Sequence, residues 1–121
     1  MSYDDKNIFF KILRGEIPCK KIYEDDYVLS FHDINPQKKI HALVIPKGKY
    51  IDLDDFSENA SSEEMVGLLK GINIVAKKLK ISVDTGKGYR ALANISEDGG
   101  QEVPHLHFHL FGGEKIGKMV E

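Results

Sequence analysis

Between residues 105 and 111 the chain reads His-Leu-His-Phe-His-Leu-Phe. Strict alternation suits a β-strand, in which neighbouring side chains point to opposite faces and repeat every ~6.6–6.8 Å on each face. Leu106, Phe108 and Leu110 therefore share one side and mark it as the core side. His105, His107 and His109 share the other, where they are expected to face a groove, a partner or solvent. One histidine on the solvated face of an edge strand would be ordinary. Three in register, preceded by Gly99-Gly100 and followed by Gly112-Gly113, demand a chemical reason.

The rest of the chain limits which reason. With 121 residues the protein is expected to form one domain, residues 1–121, large enough to bury a real core. A content of 41% hydrophobic and 30% charged residues fits a folded soluble chain rather than a disordered one. The formal charge of −2 gives no general grip on a polyanion. Nucleic acid is therefore not an expected partner, and any phosphate binding must come from local geometry. One cysteine, Cys19, can form neither an internal disulfide nor a thiolate metal cage, which fits a reducing compartment. The opening "MSYDDKNIFFKILRG" is acidic and holds only a short apolar run before Lys11 and Arg14, so it resembles neither a signal peptide nor a membrane span. A cytoplasmic protein without a membrane partner is expected.

Residues 7–14 read as a short amphipathic helix, with Asn7 as N-cap and Gly15 at the C-terminal end. Two apolar runs joined at "EDD" predict a hairpin, closed off by the Asn35-Pro36 turn signal. "KKIHALVIPK" predicts a strand covered on both faces and carrying His41. Residues 61–80 predict a long helix: Ser61 and Glu64 form a capping box, and Lys77, Lys78 and Lys80 sit at its end. Its apolar arc is wider than the roughly 100° that one core needs, which fits either an oligomer contact or a helix sunk between layers. "GYRALANI" predicts a strand, "SEDGGQ" a turn, and residues 105–111 the last strand. Strands without regular βαβ alternation make an antiparallel α+β domain.

Two chemistries suit the histidine row. Neutral imidazoles at i and i+2 of a strand can hold zinc, three of them leaving an open catalytic position. Ligand histidines normally have a carboxylate behind them, and the strand supplies none. Alternatively, one imidazole is a nucleophile. With an ordinary pKa of about 6.5 it exposes a lone pair at pH 7 without a strong base, and a phosphohistidine is labile enough to be hydrolysed in a second step. A neighbouring histidine can then protonate the leaving group, and the Gly99-Gly100 pair could turn backbone N–H groups towards a phosphate.

The assembled residues resemble the histidine triad family, whose signature is His-φ-His-φ-His-φ-φ with φ apolar. Here it reads His105-Leu106-His107-Phe108-His109-Leu110-Phe111. "NIFFKILRGEIPCKKIYEDD", "SFHDINPQKKIHALVIPK" and "GYRALANISEDGGQEVPHLHFHLFGG" extend the likeness over nearly the whole chain. Gly112-Gly113 and "FHDINPQ" are similar to the nucleotide-binding branch rather than to the dinucleoside polyphosphate hydrolases, which usually carry Pro-Arg there.

The resemblance implies a five-stranded antiparallel sheet with one short and one long helix, two such sheets being joined in a homodimer. It implies hydrolysis of purine nucleoside 5′-phosphoramidates to a nucleoside monophosphate and an amine, through a nucleotidyl-histidine, with no cofactor. By position, His107 is the nucleophile, His109 contacts phosphate and leaving group, His105 orients the site, and His41 is the supporting fourth histidine. Asn94 and the Gly100-Gln101 lip match phosphate contacts, and Asp33 matches the ribose-binding carboxylate, with His32, Ile34 and Phe9 near the base. Glu102 stands where animal relatives have a serine near the phosphate, Pro104 replaces a common aromatic, and the tail "EKIGKMVE" lacks a tryptophan. Asn7 and Phe10 occupy the positions of a zinc-binding Cys-x-x-Cys in some members, so no metal is expected. Two alternatives make different demands: a nucleotide-binding adaptor with little turnover, and a histidine-ligated metal module.

Overall fold

The computed structural model describes residues 2–120. In chain order it contains α1 (Ile8–Leu13), β1 (Lys21–Glu24), β2 (Val28–His32), β3 (Ile40–Pro46), α2 (Leu53–Asn59), α3 (Ser62–Lys78), β4 (Arg90–Leu92) and β5 (Phe108–Gly112). The five strands make one sheet in the order β1-β2-β3-β5-β4, with every neighbouring pair antiparallel. The expected α+β architecture with a five-stranded antiparallel sheet is therefore what the chain forms.

β3 lies at the centre because its β-branched run is apolar on both faces, and six of its seven residues are buried. On one face Ala42 and Val44 join Val28, Leu110, Leu106 and the α3 residues Leu68, Ile72 and Val75 in the larger core. On the other, Leu43 and Ile45 pack with Leu29, Phe31 and Phe9 of α1. α1 is held at its start by Asn7, whose side chain accepts from the Phe10 amide. α3 starts with the expected capping box, in which the Ser61 hydroxyl and the Glu64 carboxylate each take a backbone N–H of the other residue. Its Gly71 faces β2 so closely that an added Cβ would come within 2.8 Å of a Val28 methyl. The hairpin turn is tied by Asp25, which accepts the amides of Tyr27 and Val28.

Four details differ from the sequence reading. Asp52 caps a second short helix, α2, whose single buried residue, Phe56, is too little for apolar periodicity to reveal. β4 spans only three residues, because the chain turns away towards the 96–101 turn after Leu92. The last strand begins at Phe108 rather than at residue 105. Ahead of it the Leu106 amide donates to the Tyr50 carbonyl and the His105 amide to the Val103 carbonyl, which takes this stretch out of the sheet ladder. Finally, α3 is not sunk between layers: Val66 and Leu69 are 52% and 69% exposed. No helix among the described residues is long and apolar enough to cross a membrane.

Candidate active site

The β3–β5 register sets His41 opposite Phe111 and Leu43 opposite His109. Directly opposed residues share a face, so His41, His109 and Phe111 gather on the α1 side of the sheet. The His109 ring lies 5.1 Å from that of His41 and 5.0 Å from that of His107, while Phe9 meets His107 edge-on at 4.9 Å. Leu106 and Leu110 are buried on the opposite face, as the alternation requires.

Hydrogen-bond partners determine which nitrogen of each imidazole carries the proton. A backbone amide only donates, and the Gln37 N–H points at His41 Nδ1 over 3.0 Å, so the His41 proton sits on Nε2. That Nε2 lies 2.9 Å from His109 Nδ1, which accepts and leaves the His109 proton on its own Nε2. His107 has the reverse pattern. Its Nδ1 is 2.7 Å from the His105 carbonyl, which only accepts, so Nδ1 is protonated and Nε2 is a bare lone pair. His105 donates from Nε2 to the Pro46 carbonyl at 2.8 Å, and its Nδ1 accepts from the Tyr3 hydroxyl.

Such single-proton patterns need neutral rings, and burial supplies the condition. It pushes His105 down to about 4, against the opposing effect of the Pro46 hydrogen bond. It does the same for His109, also to about 4, reinforced by the His107 and His41 rings. Burial likewise lowers His107 and His41, while the Asp33 carboxylate pulls both upward. Asp33 Oδ2 lies 3.4 Å from His41 Nε2, and its Oδ1 accepts the Asn35 amide at 2.8 Å.

The row is therefore graded rather than uniform. His105 is fully buried, His107 is 6% exposed and His109 is half-buried. His105 faces neither groove nor solvent, contrary to the expectation for all three rings, because both its nitrogens are used inside the protein. His107 and His109 are left as the chemical pair, one offering a lone pair and the other a proton. Asp33, His41 and His109 also place one potential metal-ligand atom each within 4.8 Å of one another, while the two histidines are joined to each other by the His41–His109 hydrogen bond.

A HIT domain model matches residues 14–116. The chain belongs to the HIT domain family. It is 51% identical over 119 residues to a 13.2 kDa HIT-like protein of Azospirillum brasilense, covering 98% of this chain and 95% of that one. Among solved structures it is similar to a HIT family hydrolase from Clostridium thermocellum, with a TM-score of 0.85, 35% identity, and 98% and 99% of the two chains covered. It is likewise similar to a histidine triad protein from Clostridium difficile, with a TM-score of 0.81, 40% identity and 98% of each chain covered.

Around the histidines of this HIT domain, the other expected site residues are placed differently from one another. Asp33 and Phe9 join the cluster. His32, at the end of β2, and Ile34, 92% exposed, lie on the surface, so Ile34 is no part of the core in this chain. Asn94 is half-buried two residues beyond Leu92, which pairs with His109. The glycine turn departs from expectation. The Gly100 amide donates to Glu97 and the Gln101 amide to Ser96, so neither N–H is free for phosphate. Gly100 takes a φ of +77°, and a Cβ on Gly99 would collide with the Ile95 carbonyl, so both glycines serve the turn itself. The Gln101 side chain staples the turn to the Ile51 and Val103 carbonyls. Glu102 is exposed, and its charge favours the protonated form of His107. Sequence reading missed Tyr3, Gln37 and Pro46, whose contacts with the histidines involve distant chain or backbone atoms that carry no local signature.

Proposed function

We propose that this HIT domain hydrolyses purine nucleoside 5′-phosphoramidates, with His107 as nucleophile. The observation that carries the reading is the unprotonated Nε2 of a neutral His107, beside a His109 that holds its proton on Nε2. In the first step His107 Nε2 bonds to phosphorus as the P–N bond to the amine breaks. The Nδ1–H, still donated to the His105 carbonyl, stabilises the resulting imidazolium. Departure of a neutral amine consumes one proton, and the water that opens the phosphohistidine in the second step releases one. The anionic phosphoryl group favours the protonated form of His109, which takes up a proton from solvent as substrate binds, gives one to the leaving nitrogen to become the neutral ring again, and recovers it from the attacking water. Asp33 would accept the ribose hydroxyls and Asn94 would donate to phosphate. Gln101 braces the turn beside them, and Phe9, His32 and Ile34 would lie towards the base.

The metal-module reading has one observation behind it, the Asp33–His41–His109 grouping. Purified protein assayed against adenosine and guanosine phosphoramidates, with elemental analysis of the same sample, separates the possibilities. Turnover without bound metal is expected. A stoichiometric divalent ion and loss of activity in chelator would favour the metal module, and AMP binding without turnover would favour an adaptor.

The same reading includes a homodimer, supported by exposed Val66 and Leu69 on α3. Leu69→Glu should shift a dimeric wild type towards monomer in sedimentation velocity while leaving the circular dichroism unchanged. A variant that stays fully dimeric removes α3 from the interface.

A further inference from the structure

We propose that Tyr3 is a positioning residue for His107: oriented by Asn7, its hydroxyl holds His105 as the Nε2–H tautomer and so fixes the carbonyl that orients the nucleophile. The inference rests on the reading of His107 as nucleophile.

The peptide whose carbonyl receives His107 Nδ1–H lies ahead of the first residue of β5, outside the sheet ladder, and its N–H, on Leu106, donates to the Tyr50 carbonyl. The His105 ring is its second anchor. It is fully buried, with the Pro46 carbonyl at Nε2 and the Tyr3 hydroxyl at Nδ1. In the other tautomer an Nε2 lone pair would face the Pro46 oxygen and Nδ1–H would face Tyr3, leaving a buried acceptor unpaired.

Tyr3 can enforce this choice because its own hydrogen bonding is directed. Asn7 Nδ2 donates to the Tyr3 oxygen at 2.9 Å, which leaves the phenolic proton for His105. Asn7 cannot turn its amide over, since Oδ1 caps the Phe10 N–H at 3.0 Å and Nδ2 also reaches the Asp4 carbonyl at 2.8 Å. The Tyr3 ring stands edge-on to both Phe10 and His105 at 5.6 Å, fixing the direction of the hydroxyl. Burial raises the Tyr3 pKa, so the group remains a donor throughout the physiological range. The helix cap at Asn7 is thus linked through three side chains and one peptide to the reactive nitrogen.

Tyr3→Phe keeps the ring and removes the proton. It should lower kcat about 3- to 10-fold with KM changed by less than about twofold, the scale of one lost hydrogen bond. Long-range proton–nitrogen NMR of the imidazoles should show His105 as one Nε2–H tautomer in the wild type and as a mixture in the variant, with a shifted His107 Nδ1. Asn7→Asp retains the helix cap but converts the donor facing Tyr3 into an acceptor that draws the phenolic proton away, so it should reproduce both effects. Wild-type kcat and unchanged ring signals in either variant would overturn the proposal, as would a loss of thermal stability with kcat and ring signals intact. If the wild type turns over no phosphoramidate, the proposed function fails, and the ring spectra of the same proteins still decide the part played by Tyr3.

Discussion

His107→Asn should reduce phosphoramidate turnover by on the order of 10⁴-fold while AMP still binds. The amide is close to imidazole in size, and its N–H₂ can still reach the His105 carbonyl that now receives Nδ1–H at 2.7 Å. It offers no nitrogen lone pair to phosphorus, so the covalent step is lost and the shape of the site is kept. A fluorogenic adenosine phosphoramidate reports the first quantity and calorimetric titration with AMP the second. Turnover near that of the wild type would mean that the nucleophile lies elsewhere; loss of AMP binding would mean that His107 mainly builds the site.

Folding stability should fall as pH drops from about 6.5 towards 4. An unfolded His105 takes up a proton near 6.5, whereas burial in the folded chain holds it down to about 4. Between those values the unfolded state binds more protons, so stability rises with pH there; the contribution is complete above about 6.5 and is lost progressively on acidification. For a ring this deeply buried the effect is about 2–3 kcal/mol, a large share of the roughly 5–15 kcal/mol that holds a domain together. His41 and His107 act in the same direction, as does the more open His109. Carboxylates whose pKa is lowered, such as Glu24 and Asp84, lose their stabilisation only below the ordinary carboxylate range. Urea unfolding at pH 7, 6 and 5 therefore isolates the histidines. A flat profile over that interval would show that the rings are not held neutral by burial.

Much of this arrangement is legible in the sequence because it depends on local periodicity. The alternation at 105–111 places leucines and histidines on opposite faces even though the strand itself begins three residues later. Ser61 and Glu64 announce the start of α3, and the apolar run around His41 marks the central strand. What the sequence conceals depends on partners far along the chain or on backbone atoms. Tyr3 meets His105 across 102 positions, and the Pro46 carbonyl and Gln37 amide select tautomers without any side chain of their own. The glycine pair invites a reading as a phosphate cradle, yet the Gly100 and Gln101 amides close the turn. Composition can propose glycine for either purpose; only the folded path of the backbone decides between them.

Two rings take their proton position from the main chain alone, His107 from the His105 carbonyl and His41 from a backbone N–H. His41 receives its instruction from the N–H of residue 37, a group present in every amino acid except proline. Any residue but proline at that place should therefore preserve the direction of proton donation from His41 to His109, provided that the loop keeps its path. A part of the reactive machinery can in this way persist at a position where comparison of side chains would find nothing in common.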